Sequence, residues 1–291
     1  MKNRERFHSG GADAGERRRG TERRNGRTRQ DGSTRDSRRR TEDAAGEELT
    51  RLEGRNSIRE AYAAGKTIDK LYVLDGCMDE PVQRILGLAR KAGTVISFVT
   101  KDRLDAMSET GAHQGVIAQA AAAEYCEVSD ILEEAAERGE DPFLILLDDI
   151  EDPHNLGAII RTANAAGAHG VVIPKRHAAT LTATVAKASA GAIHFTKIAK
   201  VTNLASEIEK LKKEGIWVVC TAMDGKEMYE LNLRGPIALV VGNEGNGVRP
   251  LIREKCDLTA KIPMLGQIES LNASVAAGVM AYEVVRQRKM Q

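Results

Sequence analysis

The chain is 291 residues long and 42% hydrophobic, enough for folded cores and more than one typical domain needs. No apolar run approaches the ~20 residues of a membrane span, the charged N-terminus lacks the apolar core of a secretory signal, and Cys77, Cys126, Cys220 and Cys256 form no CxxC pair or Cys/His spacing for structural zinc. The formal net charge of +1 hides an asymmetry, because residues 1–46 carry 14 Lys and Arg against 8 Asp and Glu while the remainder is net acidic.

Residues 1–46 are mostly Arg, Gly, Ser, Thr and Asp, with Phe7 the one aromatic. Such a segment cannot bury enough apolar surface to offset chain entropy, and a disordered tail is expected. Arg17-Arg18-Arg19 and Arg38-Arg39-Arg40 would attract phosphate. A solubilising leader is the other reading, since acids dilute the charge.

Residues 47–124 predict a small α/β domain. Arg55–Ala63 is a helix stopped by Gly65, Lys70–Leu74 a strand, and Pro81–Ala92 a helix. Thr94–Val99 is a strand, Lys101–Ser108 a short helix and Gly115–Ala120 a last strand. The alternation implies a partly parallel sheet. Residues 125–141 read as a connection, helical from Ser129 as N-cap with Glu133 nearby.

Residues 142–291 form a second α/β unit. The apolar strand Phe143–Leu147 runs into Asp148-Asp149-Ile150-Glu151-Asp152-Pro153-His154-Asn155-Leu156-Gly157. Four acids there raise a metal site, but magnesium usually leans on substrate phosphates, and no metal is expected. A helix follows over Ala158–Ala166, with Asn155 as its N-cap. Arg161 is then either a solvated surface residue or, near a strand-end loop, a phosphate clamp. Gly170–Ile173 is a buried strand, residues 187–192 lie on or after a small-residue helix, and Phe195–Ile198 suits a strand. Asn203–Lys213 is a helix, and Ile216–Thr221 a strand opening into Thr221-Ala222-Met223-Asp224-Gly225. His154, His169, His177 and His194 have no Cys or acidic partner pattern and suit surface or packing roles.

The last stretch concentrates the chemistry. Ile237–Val241 is a short β-branched strand that ends at Gly242-Asn243-Glu244-Gly245-Asn246-Gly247, where three glycines in six residues let backbone approach a ligand. A strand over Leu258–Ile262 stops at Pro263, and Met264–Asn272 is a loop dense in hydrogen-bonding groups. From Ser274 a buried helix runs to Arg286, Arg288 and Lys289, cations that suit its C-terminus. Loops at the ends of buried strands are where α/β sheets bind ligands. The glycines do not match GxGxxG with its downstream acid, and no phosphate-loop GKS or GKT follows.

Three ordered segments carry a resemblance: Asp152–Ala163, Gly242–Val248, and Ile262-Pro263-Met264 with Ser270–Ala276. They are similar to the motifs of the SpoU family of RNA ribose 2′-O-methyltransferases, of the knotted SPOUT class. The resemblance implies an α/β fold with a C-terminal trefoil-knot domain, S-adenosyl-L-methionine as cofactor, RNA as substrate, and a homodimer. Leu52–Asn56 and Ala112–Val116 resemble the substrate-binding domain preceding many SpoU catalytic domains, itself similar to ribosomal-protein L30-type RNA binders. The matching positions imply RNA contact at Arg55, His113 and Gln114, although Arg55 near a helix N-terminus and His113 in a turn also suit local structural roles.

Carried over position by position, Asn155, Arg161, Glu244, Ser270 and Asn272 are expected to line the catalytic pocket. Gly242, Ile262 and Leu271 are expected to offer backbone groups to the adenosine end of the cofactor, with Thr221, Ala222, Asn243, Gly247, Met264 and Ala276 around it. Arg161 matches the position proposed in the family as the base. A protonated guanidinium has no acceptor, so holding an RNA phosphate is the other role open to it, with Ser270 and Asn272 fixing its position. The two-domain arrangement most resembles the bacterial enzymes that methylate a guanosine of large-subunit ribosomal RNA. A tRNA target, a resistance methyltransferase, and a non-catalytic ribosome-assembly module stay open. The cytoplasm is the expected compartment, since no disulfide framework is evident.

Overall fold

The computed structural model describes residues Arg51–Met290; the expected tail over residues 1–46 lies outside them. The first sheet has the order β1-β4-β2-β3. It is built from β1 (Arg51–Glu53), β2 (Ile68–Leu74), β3 (Val95–Val99) and β4 (Val116–Ala120), with helices α1 (Arg55–Ala63), α2 (Glu80–Ala92) and α3 (Lys101–Met107) between them. β2 and β3 run parallel, whereas β4 is antiparallel to both β1 and β2. The strand β1 was not legible, because three residues of antiparallel edge carry no periodicity.

Helix α4 (Val128–Arg138) leads to the second sheet. The helix begins one residue before the expected cap Ser129: the Glu127 amide donates to the Asp130 carboxylate at 2.8 Å and takes over the N-terminus. The second sheet contains β5 (Phe143–Leu147), β6 (Gly170–Pro174), β7 (Lys197–Val201), β8 (Trp217–Glu227), β9 (Ile237–Val241) and β10 (Leu258–Lys261). Its order is β10-β8-β9-β5-β6-β7, and every pairing is parallel. The helices are α5 (Pro153–Ala165), α6 (Ala183–Ala188), α7 (Leu204–Lys213), α8 (Pro250–Lys255) and α9 (Ala273–Lys289).

Both faces of this sheet are covered, which explains the unbroken apolar strands. Phe143, Ile145 and Leu147 pack on one face against Ile159, Ile160, Ala277, Met280 and Val284 of α5 and α9. Leu144 and Leu146 pack on the other against Ile131, Ile208 and Ile252 of α4, α7 and α8. Among the described residues, no helix is long and apolar enough to cross a membrane.

Helix α5 starts at Pro153 rather than Ala158. Pro153 loses nothing at the first helical position, whose N–H would be unpaired anyway, and the Asp152 carboxylate accepts from the His154 amide at 2.9 Å. Asn155 is therefore not the N-cap; it sits in the first turn with its side chain free for other work. The short helix α8, absent from the sequence reading, starts at Pro250 for the same reason.

A polar contact joins the two sheets. The Lys200 ammonium on β7 meets the buried Asp69 carboxylate on β2 at 2.5 Å. The Tyr125 hydroxyl donates to the same carboxylate at 3.1 Å and accepts from the Leu181 amide at 3.1 Å. Burial and the adjacent Asp69 charge push the Tyr125 phenol well above its ordinary range.

Candidate active site

Thr221–Asp224 of β8, the C-terminal ends of β9 and β10 and the start of α9 surround a cavity of about 440 Å³, within the ~300–1,000 Å³ of small-molecule sites. The loop after β9 forms one wall. Gly242 has no room for a side chain there: a Cβ would lie 2.2 Å from the Gly247 carbonyl carbon and 2.3 Å from the Val248 nitrogen. The Gly247 amide donates to the Asn243 carbonyl at 2.8 Å and closes the loop on itself. Gly247 has φ +66°, which suits glycine. Met264 and Glu269–Leu271 line the cavity as well.

Every position expected at the cofactor, from Thr221 and Ala222 through Gly242, Asn243 and Gly247 to Ile262, Met264, Leu271 and Ala276, lines this cavity. Ile262, Leu271 and Ala276 are apolar, while Thr221, Asn243, Glu244 and Ser270 supply polar groups. That mixture fits an adenosine, with its flat apolar base and its hydroxyl-bearing ribose. Arg253 also lines the cavity and pairs with Asp224 at 2.8 Å. The sequence reading missed Arg253 along with α8; Pro250 was the available signal.

Three expected catalytic residues converge around Glu244, which lines the cavity. The Asn155 amide donates to Glu244 Oε1, and the Asn272 amide donates to Asn155 Oδ1 at 2.9 Å and to Glu244 Oε1 at 3.3 Å. The Ala273 amide reaches the same Glu244 oxygen at 3.4 Å. Asn272 Oδ1 in turn accepts from the Ser274 amide at 3.0 Å and the Ser274 hydroxyl at 2.6 Å, capping α9. Asn155 is only 7% exposed, and a buried amide without these partners would be costly.

Ser270 lines the cavity but stays outside this triad. Arg161 is exposed on α5, two turns beyond Asn155, and does not line the cavity. Among the described residues it makes no hydrogen bond or ion pair. The four acids of the first loop all have protein partners. Asp148 binds Arg249, and Asp152 caps α5. Asp149 and Glu151 approach exposed His177 at 3.9 and 3.7 Å.

In the first sheet, Arg55 and Gln114 meet. The Arg55 amide donates to Gln114 Oε1 at 3.2 Å, its Nε donates to the Gln114 carbonyl at 3.0 Å, and its guanidinium pairs with Asp79 at 2.7 Å. Gln114 adopts φ +50° in this turn. His113 is 8% exposed. Its Nδ1 accepts from the Gly115 amide at 3.0 Å, so Nε2 carries the proton and donates to Asp105 at 2.8 Å. The imidazole therefore supports the turn from behind rather than presenting a free nitrogen. His169 is held likewise, with Nδ1 accepting from the Phe143 amide at 3.0 Å.

Comparison with known proteins agrees with this geometry. Residues 142–282 match the model of the SpoU rRNA Methylase family, and residues 51–126 match that of RNA 2′-O ribose methyltransferase substrate binding. A Bacillus subtilis protein, YacO, named as a TrmH family tRNA/rRNA methyltransferase, is 49% identical over 237 residues, covering 81% of this chain and 94% of its own. A Staphylococcus saprophyticus protein of the same family name is 43% identical over 236 residues, with 81% and 94% covered. The SpoU methyltransferase AviRb from Streptomyces viridochromogenes, solved with AdoMet, superposes with a TM-score of 0.53 at 26% identity, covering 83% of this chain and 91% of that one. An AdoMet-bound rRNA methyltransferase from Sinorhizobium meliloti shares the fold at a TM-score of 0.51 and 24% identity, with 81% and 87% covered. This chain belongs to the SpoU family of α/β-knot RNA ribose 2′-O-methyltransferases, which use S-adenosyl-L-methionine.

Proposed function

We propose that the chain methylates the ribose 2′-hydroxyl of a guanosine in large-subunit ribosomal RNA, and that Asn155, Glu244 and Asn272 form its catalytic cluster. The observation that carries this reading is the convergence of the Asn155 and Asn272 side chains on Glu244, which lines the cavity. The cofactor supplies an electrophilic methyl group when bound. The protein must align the ribose oxygen behind it and assist loss of the hydroxyl proton.

The described contacts of Glu244 all fall on Oε1. Oε2 makes no hydrogen bond to the described residues, and in this reading it accepts the ribose hydroxyl's hydrogen bond. Asn155 and Asn272 fix the carboxylate through amide donors, which a neutral side chain can do without competing for the proton. Arg161, exposed and without a hydrogen bond or ion pair among the described residues, is assigned to an RNA phosphate near the target. Ser270 is assigned to the cofactor side of the pocket.

Arg55, Gln114 and the turn held by His113 are assigned to holding folded RNA, with residues 47–124 as the RNA-binding domain and residues 142–291 as the catalytic one. The match over residues 51–126 supports this division. A homodimer is part of the reading. Val275, Val279 and Tyr282 form a stripe along α9, with Val275 and Tyr282 each about half exposed, the kind of apolar face a second copy would cover. The proposed compartment is the cytoplasm.

The test is tritium transfer from labelled S-adenosylmethionine to ribosomal RNA lacking its 2′-O-methyl marks, followed by nucleoside mapping. Label on one large-subunit guanosine is the expected result. Label on tRNA alone would keep the chemistry and overturn the substrate; relatives named for both tRNA and rRNA make that the second reading.

A further inference from the structure

The glycine loop after β9 must hold one shape for Glu244 to reach Asn155. Its entry is fixed by two hydrogen bonds: the Asp148 amide donates to the Val241 carbonyl at 2.9 Å, and the Asn243 side-chain amide donates to the Asp149 carbonyl at 3.3 Å. Its exit is fixed by a side chain. Asp148 Oδ2 accepts from the Arg249 backbone amide at 2.8 Å. Asp148 Oδ1 accepts from Arg249 Nε at 2.9 Å and from Nη2 at 2.6 Å. The Asp148 side chain is 0% exposed, whereas the Arg249 side chain is 43% exposed.

We infer that Asp148 is a positioning residue for methyl transfer: clipped to Arg249, its carboxylate sets the closed shape of residues 242–248 and thereby the place of Glu244 at the cofactor cavity. The inference rests on the active-site reading above and extends it to a residue pair outside the cavity lining. A buried carboxylate is expensive unless its oxygens are filled, and here one guanidinium and one backbone amide fill both. The location explains why the charge is worth burying. Residues 148 and 149 follow β5 and open the loop that leads into α5, whose first turn holds Asn155, so one short segment grips both ends of the glycine loop while also starting the first catalytic segment. Closure of the glycine loop and placement of Asn155 are thereby coupled through two residues. An asparagine at 148 would not substitute, because its NH₂ would face an N–H donor of Arg249.

The test uses full-length protein and compares wild type with Asp148→Asn and Arg249→Lys. Binding of S-adenosylmethionine is measured by calorimetry, methyl transfer by steady-state kinetics, and folding by thermal melting. Loss of charge-assisted hydrogen bonds of this kind is expected to weaken cofactor binding about ten-fold and to lower kcat, with the KM for RNA within about two-fold of wild type. Arg249→Lys keeps the backbone bond but cannot reproduce the two guanidinium hydrogen bonds to Asp148, so the same losses are expected in weaker form, and it decides the matter should Asp148→Asn fail to fold. Folded variants that bind cofactor and turn over like wild type, even with a lowered Tm, would overturn the inference and leave the pair purely structural. Wild-type protein that binds no cofactor would instead overturn the site reading, and this is seen before any variant is made.

Discussion

Asn155 and Glu244 lie 89 residues apart in sequence, yet the amide of one is bonded to the carboxylate of the other, and Glu244 lines the cavity beside the β9 glycine loop. Asn155 also accepts from Asn272, so a single amide links the first and third motif segments to the second. Replacing Asn155 with Ala removes a donor from Glu244 and an acceptor from Asn272 while leaving the cavity walls intact. Methyl transfer is expected to fall by about 100-fold, the usual scale for one preorganised polar group, with cofactor affinity much less affected. Paired calorimetry and tritium-transfer assays check this; a parallel loss of both would place Asn155 in cofactor binding.

Arg161 stands exposed on α5 with no bond to another described residue. Its replacement by Ala costs the fold little, within the about 0.5 kcal/mol typical of surface changes. Methyl transfer is expected to be abolished with the melting curve and cofactor affinity unchanged. Full activity in Arg161→Ala would remove the residue from the mechanism.

Gly242 is a steric requirement rather than a hinge. A Cβ at this position would sit 2.2 Å from the backbone of Gly247, and no rotamer relieves a clash with backbone. Gly242→Ala is expected to open the loop and cost cofactor affinity by more than ten-fold, about 1.4 kcal/mol or more. Calorimetry on the folded variant reads this directly.

Asp69 and Lys200 pair across the two sheets with side-chain exposures of 1% and 11%. Asp69→Asn leaves an ammonium largely buried without its counter-charge, which typically costs about 3–5 kcal/mol. Urea unfolding is expected to show that loss. An unchanged midpoint would mean that Lys200 finds water once its partner is gone.

Glu53 gives the N-terminal unit an acid-sensitive anchor. Partial burial works against its ionisation, but hydrogen bonds from the Thr110 and Ser108 hydroxyls and the Glu109 and Thr110 amides outweigh it and pull its pKa from 4.5 to about 2. The folded state thus prefers the carboxylate more than the unfolded chain does. The resulting stability is present above pH 4.5 and is lost as pH falls toward about 2. Glu53→Gln is expected to be less stable than wild type at pH 7, with the gap narrowing across that acid window in pH-dependent melts.

Much of this protein was legible in one dimension. Apolar runs such as Phe143–Leu147 and Ile237–Val241 declare strands buried on both faces because hydrophobicity and β-branching act residue by residue. Gly242 and Gly247 could be placed in a close-approach loop because a stretch short of Cβ atoms is a local property. What failed was also local in origin: Ser129 and Asn155 looked like N-caps, but Glu127 and Asp152 lay earlier and competed successfully for the helix starts. That competition freed Asn155 for Glu244. Other relationships exist only in three dimensions. Asp148 and Arg249 are 101 residues apart, and Asp69 and Lys200 are 131 apart. Their pairing depends on the strand order β10-β8-β9-β5-β6-β7 and on where the first sheet rests. Sequence determines which segments must be strands, helices and close-approach loops, because those follow from neighbouring residues. Only the tertiary structure decides which distant charge fills a buried carboxylate, because desolvation is set by the whole fold.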